Sequence, residues 1–136
     1  MLPAVLADFA ARLSSDAAAT IKRFLVLQVL NQPNLRATMT TLHRALTSRG
    51  DPDPAALAAG LDILRSTDLR TQLPHVAQVS LVLQGDHDAL TPEPAGRWLA
   101  GHLAAARYTM VPHAAHAPFL SHRDAFLHAL NGFLAA

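Results

Sequence analysis

The chain of 136 residues contains no cysteine, so disulfide bonds and thiolate chemistry are excluded. Charged residues are scarce at 15% of the sequence, whereas apolar residues make up 51%, a balance typical of a globular protein with a filled interior. Eleven basic residues against ten acidic ones give a formal net charge of +1, so the whole chain lacks the basic character of a nucleic-acid-binding protein.

Long apolar runs are missing as well. A bilayer span needs about 20 consecutive apolar residues, and the chain has no run of that length. No basic segment followed by an apolar run and a small-residue cleavage site stands at the start of the sequence. We therefore expect neither membrane insertion nor export, and we expect a cytoplasmic location.

Residues 1 to about 70 have the patterns of helices separated by capping signals. Residues 14–16 are suited to cap a helix that runs to about Leu30, and Pro33 fits the first turn of the next helix. Asp53 followed by Pro54 predicts the start of another. The segment "FLVLQVL" at 24–30 is apolar almost all the way round, so we expect it to be covered on more than one side, by neighbouring helices or by a bound apolar ligand.

Positive charge is concentrated in this first half. Between residues 12 and 49 there are six basic residues and a single acidic one, Asp16. Two interpretations stay open: a solvated helix surface, or a docking patch for an acidic partner.

From about residue 75 the pattern changes to strand, helix, strand, helix. We predict strands at 79–85 and 107–112, a helix at 93–106 between them, and a last helix from Ser121 to about Leu134. Ser121 and Asp124 have the spacing of a capping box. The strand–helix–strand order predicts two parallel strands. The continuous apolar run at 79–85 predicts a strand buried on both faces. A two-stranded parallel sheet cannot cover both of its faces, so we expect it to be part of a larger sheet.

The two loops that follow these strands should lie side by side, because the carboxyl ends of parallel strands share one edge of the sheet. They are "GDHDALTP" at 85–92 and "HAAHAPF" at 113–119. We select Asp88 and His116 as an acid–histidine pair, in which the carboxylate would fix the tautomer of the imidazole and stabilise its protonated form. Asp86 follows Gly85 directly and is expected to bond the backbone of the turn.

A metal site is the weaker interpretation of the same loops. His113, His116 and His122 together with the triplet at 86–88 offer ligand types that zinc accepts, but none of the strong zinc-binding spacings is present. We therefore predict no metal ligands, and no cofactor.

The two loop sequences also carry a resemblance to known proteins. "QGDHDALTP" followed by "AAHAPFLSHRDAF" resembles the acid loop and the histidine loop of α/β-hydrolases, in the chain order of that fold. The helical half, notably "LADFAARLSSDAAATIKRFLVLQVL" and "GLDILRSTDLR", resembles the lid of the pimeloyl-acyl-carrier-protein methyl ester esterases of biotin synthesis. The similarity extends over essentially all 136 residues.

This resemblance implies an α/β-hydrolase fold, with residues 1–72 as the helical lid and residues 73–136 as the last two strand–helix units of the core. It implies that Asp88 is the acid of a Ser-His-Asp triad and His116 its general base. The implied reaction is hydrolysis of the methyl ester of pimeloyl-acyl-carrier protein.

The resemblance also implies residues that hold the substrate. Phe24 would line the acyl pocket, and Arg23 with Arg36 would hold the acidic carrier protein. Two further arginines of the family correspond here to Ala19 and Thr40, and the nearby basic residues are Lys22 and Arg44.

The nucleophile of the family is missing. These enzymes carry their serine in a G-x-S-x-G motif, and none of the six serines here has glycine at both flanking positions. We therefore expect Met1 to mark a truncated reading frame, a fragment or a separately expressed C-terminal piece that lacks an N-terminal hydrolase segment. Such a chain is expected to be inactive alone. The alternatives are a non-catalytic module that binds a carrier protein or a partner fragment, and a related esterase with another acyl substrate.

Overall fold

The computed structural model describes residues 3–30, 34–48 and 50–136, with side chains described from Leu6 onward. Four helices come first, and two strands alternating with further helices follow. Their bounds are α1 Pro3–Ser15, α2 Ala17–Gln28, α3 Leu35–Thr47, α4 Pro54–Ser66, a 3₁₀ turn Leu73–His75, β1 Ser80–Gly85, α5 Glu93–His102, β2 Ala106–Val111, α6 Pro118–Ser121 and α7 Arg123–Leu134. None of these described helices has the length and hydropathy that a bilayer span requires.

The predicted capping residues start two of the first four helices. Asp16 accepts a hydrogen bond from the backbone N–H of Ala19 at 3.0 Å and caps α2, and Asp53 accepts one from Ala55 at 2.8 Å and caps α4. Each bond satisfies one of the backbone donors that a helix N-terminus leaves unpaired. Pro33 lies outside the described residues, and α3 follows Asn34.

The first four helices pack on one another through apolar side chains. Helix α1 contacts α2 and α4, and α2 also contacts α3. The rings of Phe9 on α1 and Phe24 on α2 lie 5.4 Å apart, and Leu13 and Val29 are buried. The apolar segment at 24–30 is thus covered by neighbouring helices over part of its surface.

Strands β1 and β2 form a parallel pair in which Ser80 lies opposite Ala106 and Gly85 lies opposite Val111. Helix α5 connects the two strands and packs against both of them. The predicted strand–helix–strand order is confirmed. The connecting helix ends at His102, four residues earlier than its predicted end at 106.

The predicted burial of β1 on both faces is wrong for most of the strand. Only Gln84 and Gly85 at its carboxyl end are buried; residues 81–83 are partly exposed, and Val79 just before the strand is 71% exposed. The reason is that the sheet has two strands within the described residues, so much of its surface has no neighbour there.

The predicted capping box at Ser121 is also wrong. Ser121 is the last residue of the short helix α6, and its hydroxyl donates to the carbonyl of Ala117 at 3.1 Å. Pro118 at the first position of α6 has already started a helical turn, so Ser121 falls at the end of that turn. Helix α7 begins after His122 without a side-chain cap.

Gly85, the last residue of β1, allows the two loops at this edge of the sheet to come together. A Cβ atom at this position would overlap the carbonyl oxygens of Ala114 and Ala115 in the loop after β2. These are backbone atoms, which cannot rotate away as a flexible side chain would. The absence of a side chain at Gly85 is therefore a condition for the observed loop packing.

We predict that Gly85→Ala lowers the free energy of unfolding by roughly 1–3 kcal/mol or more, the usual cost of forcing extra volume into packed structure. Urea unfolding followed by circular dichroism measures this. Gly101→Ala is the matched control, because a Cβ on Gly101 in α5 meets no atom within 4 Å and alanine is the better helix former. Equal stability of the two variants would contradict the close packing at Gly85.

Candidate active site

The loops that follow β1 and β2 are joined by backbone hydrogen bonds. The N–H of His87 donates to the carbonyl of Ala114 at 3.0 Å, and the N–H of Asp86 donates to that of Val111 at 3.4 Å. The expectation that the two loops lie side by side at the carboxyl edge of the sheet is confirmed.

Asp88 is the centre of the hydrogen bonds in the first loop. Its Oδ1 accepts from the backbone N–H groups of Leu90 and Thr91, at 2.8 and 2.9 Å. Its Oδ2 accepts from the Thr91 hydroxyl at 2.6 Å, from Gln84 Nε2 at 3.1 Å and from His116 Nδ1 at 2.9 Å. With five donors around two oxygens, the buried carboxylate is fully satisfied and held in one orientation.

His116 bridges this buried carboxylate and the open side of the site. The Asp88 side chain is 3% exposed, whereas that of His116 is 36% exposed. Because a carboxylate only accepts hydrogen bonds, Nδ1 of His116 is the donor in this pair. The neutral imidazole then has its lone pair on Nε2, where it can take a proton, and the carboxylate stabilises the imidazolium that results.

The surroundings of Asp88 favour its ionised form. Burial by itself would raise the pKa of the Asp88 carboxyl. The hydrogen bonds from the side chain and backbone of Thr91, from His116 and from the backbone of Leu90 act the other way and outweigh it, so the pKa is below its ordinary value. Asp88 is consequently an anion at neutral pH and remains available to His116 as an acceptor.

The loop that carries His116 is packed tightly through small residues. Ala114 and Ala115 are completely buried and Ala117 nearly so. The N–H of Ala117 donates to the carbonyl of Gln28 at the end of α2, at 2.8 Å. This bond ties the histidine loop to the helical half of the chain.

An apolar cavity of about 610 Å³ opens beside His116. Its walls come from α1, α2 and α4 on one side and from the two loops on the other. The lining residues are Leu6, Phe9, Leu13, Ile21, Phe24, Ala56, Leu57, Gly60, Leu61, Leu64, Leu90, Thr91 and His116. A pocket of this size with few polar groups is suited to a small apolar ligand.

Of the three predicted substrate residues, Phe24 is at the cavity and the two arginines are not. Phe24 lines the cavity, and its contact with an acyl chain stays a prediction. Arg23 on α2 and Arg36 on α3 are exposed and are not among the lining residues. Among the described residues neither arginine is in an ion pair, so both charges face solvent.

The prediction that Asp86 bonds the backbone of its turn is not what the structure shows. Asp88 takes that role in addition to its bond with His116, and Oδ1 of Asp86 is buried without a hydrogen-bond partner among the described residues. The turn closes toward Leu90 and Thr91, which are within reach of Asp88.

Sequence reasoning did not select Thr91 and Gln84, which hold Asp88 from two sides. Thr91 lies three positions after Asp88, a spacing at which an aspartate commonly accepts from a backbone N–H, and this signal was available. Gln84 is a polar residue in an otherwise apolar strand, and its Nε2 also donates to the carbonyl of Thr91 at 2.8 Å. Buried polar side chains are nearly always hydrogen-bonded, so a glutamine just before an acidic loop was a second signal that it would bond an acid of that loop.

The residues that the sequence offered as potential metal ligands lie in two places. His116 pairs with Asp88, and Nδ1 of His122 lies 2.9 Å from the Ser121 hydroxyl. Asp86, His87 and His113, by contrast, come together outside this pair.

Comparison with curated proteins identifies the relatives of the chain, although no protein-family model matches it. The chain is 39% identical to the pimeloyl-[acyl-carrier protein] methyl ester esterase of Nitrosomonas europaea over 119 residues, which are 88% of this chain and 47% of that protein. The esterases of the same name from Stenotrophomonas maltophilia and Xanthomonas oryzae are 39% and 40% identical over 98% and 95% of this chain. The chain belongs to this family. It spans about half the length of the curated relatives it matches.

Solved structures show the fold. An esterase from Exiguobacterium antarcticum superposes with a TM-score of 0.87 at 19% identity over 100% of this chain and 49% of its own. The enol-lactonase from Burkholderia xenovorans superposes with a TM-score of 0.82 at 22% identity over 98% of this chain and 51% of its own. The predicted α/β-hydrolase fold is confirmed, and the chain again corresponds to about half of each structure.

We predict that Thr91→Val raises the pKa of Asp88, because the variant loses the hydroxyl that donates to Oδ2 while burial still disfavours the charge. The carboxyl ¹³C chemical shift of Asp88, followed through an acid titration, measures it. Thr91→Ser is the matched control, since it keeps the hydroxyl. An unchanged titration in the valine variant would contradict the role given to Thr91.

The same substitution changes how stability depends on pH. In the wild-type chain the lowered pKa of Asp88 contributes stability that is present above its unfolded value of about 4 and is lost as the pH falls through the lower folded value. We expect the Thr91→Val chain to be roughly 1–3 kcal/mol less stable at pH 6 and to lose less further stability on acidification. Urea unfolding at pH 6 and pH 3 tests both.

Proposed function

We propose that these 136 residues supply the acid and the base of a Ser-His-Asp carboxylesterase. The observation that carries this proposal is the 2.9 Å contact between His116 Nδ1 and buried Asp88, with the same histidine lining an apolar cavity. An acid–histidine pair next to an apolar pocket is suited to acyl transfer once a nucleophile is added.

The nucleophile in this proposal comes from a segment outside the 136 residues, since they contain no G-x-S-x-G motif. His116 Nε2 takes the proton of the serine hydroxyl as its oxygen attacks the ester carbonyl. Asp88 stabilises the imidazolium, which then gives the proton to the departing alcohol. An acyl-enzyme remains, and water activated by the same imidazole releases the free acid.

The proposal includes a division of the chain into residues 1–72 as the lid and residues 73–136 as the end of the hydrolase core. The cavity supports it, because its walls come from helices in the first part and from the loops of Leu90, Thr91 and His116 in the second. The hydrogen bond between Ala117 and Gln28 connects the same two parts. Phe24 would contact the acyl chain of the substrate from the lid side.

The substrate we propose is the methyl ester of pimeloyl-acyl-carrier protein, the compound in the name of the relatives, hydrolysed in biotin synthesis with no metal or other cofactor in this step. The apolar cavity is suited to the acyl chain. Arg23 and Arg36 are exposed, lie on two helices that pack together and form no ion pair with another described residue, which supports binding of an acidic carrier protein. A cytoplasmic location is part of this proposal.

The first experiment measures hydrolysis of a short acyl methyl ester by the chain alone and by the chain mixed with, or fused to, the serine-bearing segment of the Nitrosomonas europaea relative. We expect activity only when that segment is present. His116→Ala or Asp88→Ala should then reduce kcat by at least about 10³-fold, as loss of a triad member does in serine hydrolases.

His128→Ala is the control in the same assay, because His128 lies exposed on α7, away from the cavity lining. It should leave the rate unchanged. Turnover by the chain alone, abolished by His116→Ala, would show that the 136 residues contain a nucleophile and would overturn the proposed division of the triad.

The carrier-protein part of the proposal has its own test. Arg23→Glu combined with Arg36→Glu should weaken binding of an acidic acyl-carrier protein and raise KM for the carrier-bound ester, with kcat on a short free ester unchanged. Arg123→Glu, which reverses an exposed charge at the start of α7, should change neither. Equal effects of the two sets of substitutions would argue against a docking surface on α2 and α3.

A non-catalytic binding module is the second candidate, and the same exposed arginines favour it. Carrier-protein binding by the chain without esterase activity in any mixture or fusion would support the module. Esterase activity in the mixture or fusion, without binding of the carrier protein, would instead indicate another acyl ester as substrate.

A further inference from the structure

Asp86, His87 and His113 bring three potential metal ligands together at the edge of the sheet. One ligand atom of each residue lies within 4.8 Å of the corresponding atoms of the other two. Asp86 and His87 belong to the loop after β1, and His113 belongs to the loop after β2. We propose that these three residues form a binding site for a transition-metal cation of the zinc class, which links the two loops.

The ligand chemistry suits this class of ion. Zinc accepts histidine nitrogens and carboxylate oxygens at about 2.0–2.2 Å, which in a tetrahedral site separates the ligand atoms by about 3.4 Å. The present spread of up to 4.8 Å is therefore wider than a bound ion would require. Both imidazoles are exposed, so small side-chain rotations can close the difference. Three protein ligands leave a fourth position for water.

One oxygen of the Asp86 carboxylate is unsatisfied within the described part of the chain. Its Oδ1 is buried and has no hydrogen-bond partner among the described residues. Burying a carboxylate oxygen without a partner costs free energy, and coordination to a cation is one of the ways in which proteins offset that cost. Asp88, two residues away, shows the contrast, since both of its oxygens are satisfied.

His113 holds its position at a conformational cost. Its φ is +63°, the left-handed region, and it is the one non-glycine residue with positive φ in the described part of the chain. Such a backbone conformation is unfavourable for a residue with a side chain and is enriched at functional sites. In this conformation the His113 ring lies 5.7 Å from the His87 ring, edge toward face.

The site is separate from the acid–histidine pair, although the same two loops carry both. Asp88 and His116 bond each other and contribute no ligand to the cluster. A bound cation would cross-link the loops whose adjacency positions that pair. Its presence should thus increase thermal stability, and this inference does not depend on the proposed esterase function.

The test is a titration of the metal-free 136-residue chain with Zn²⁺, followed by calorimetry and by the ¹⁵N resonances of the histidine rings. We expect one site per chain, with the ring signals of His87 and His113 shifting first and a rise in Tm on saturation. Co²⁺ in place of Zn²⁺ should give the visible absorption of a four-coordinate ion.

Variants separate the site from weak binding by other histidines. Asp86→Asn and His113→Gly should each reduce Zn²⁺ affinity by roughly tenfold or more, and glycine at 113 accepts the positive φ without strain. His43→Ala and His128→Ala are matched controls on exposed helix surfaces and should leave affinity unchanged.

Equal loss of affinity in the controls would overturn the proposal, as would ring signals of His43, His75 or His128 that shift at the same Zn²⁺ concentration as those of His87 and His113. The ring signals are read in the wild-type chain, so the conclusion does not depend on how well a variant folds. Binding of Zn²⁺ that is unchanged in both Asp86→Asn and His113→Gly would overturn it equally.

Discussion

The parallel register of β1 and β2 is the constraint on which the rest of the site depends. Because Gly85 lies opposite Val111, both strands end at the same level, and the loops that follow them begin side by side. The loops can then approach until the carbonyls of Ala114 and Ala115 pass over the glycine, where any side chain would block them. Residues 28 positions apart in the chain, Asp88 and His116, meet as a result.

Burial of the Asp88 carboxylate is made possible by the donors around it. Taking an anion out of water costs several kcal/mol unless hydrogen bonds replace the lost hydration, and here two backbone N–H groups, a hydroxyl, an amide and an imidazole do so. Of the side chains that bond Asp88, the His116 imidazole is the one that carries a basic nitrogen, and it lines the apolar cavity. The hydrogen bonds therefore keep the Asp88 carboxylate ionised and orient the imidazole ring of His116.

The helical half and the strand half meet at this site. The bond from Ala117 to Gln28 and the shared walls of the apolar cavity connect α2 to the histidine loop. A shift of the first helices would accordingly change both the shape of the cavity and the support behind His116. By contrast, much of the sheet surface and Val79 are open, which fits a chain that spans about half of its relatives.

The sequence by itself determined the features that depend on neighbouring residues. Asp16 and Asp53 start their helices because a capping side chain bonds a backbone N–H two or three positions later. The order of strand, helix and strand, with the loops that follow, comes from short-range hydrophobic pattern, and it allowed Asp88 and His116 to be paired. Their catalytic role stays a prediction.

Tertiary structure decided what depends on distant parts of the chain. Only the fold showed that Asp88 rather than Asp86 bonds the turn and that His113 meets Asp86 and His87. It also placed Ser121 at the end of a turn begun by Pro118, and left β1 partly exposed. The physical reason is that burial and contacts between loops depend on strand register and packing, which no local pattern of residues encodes.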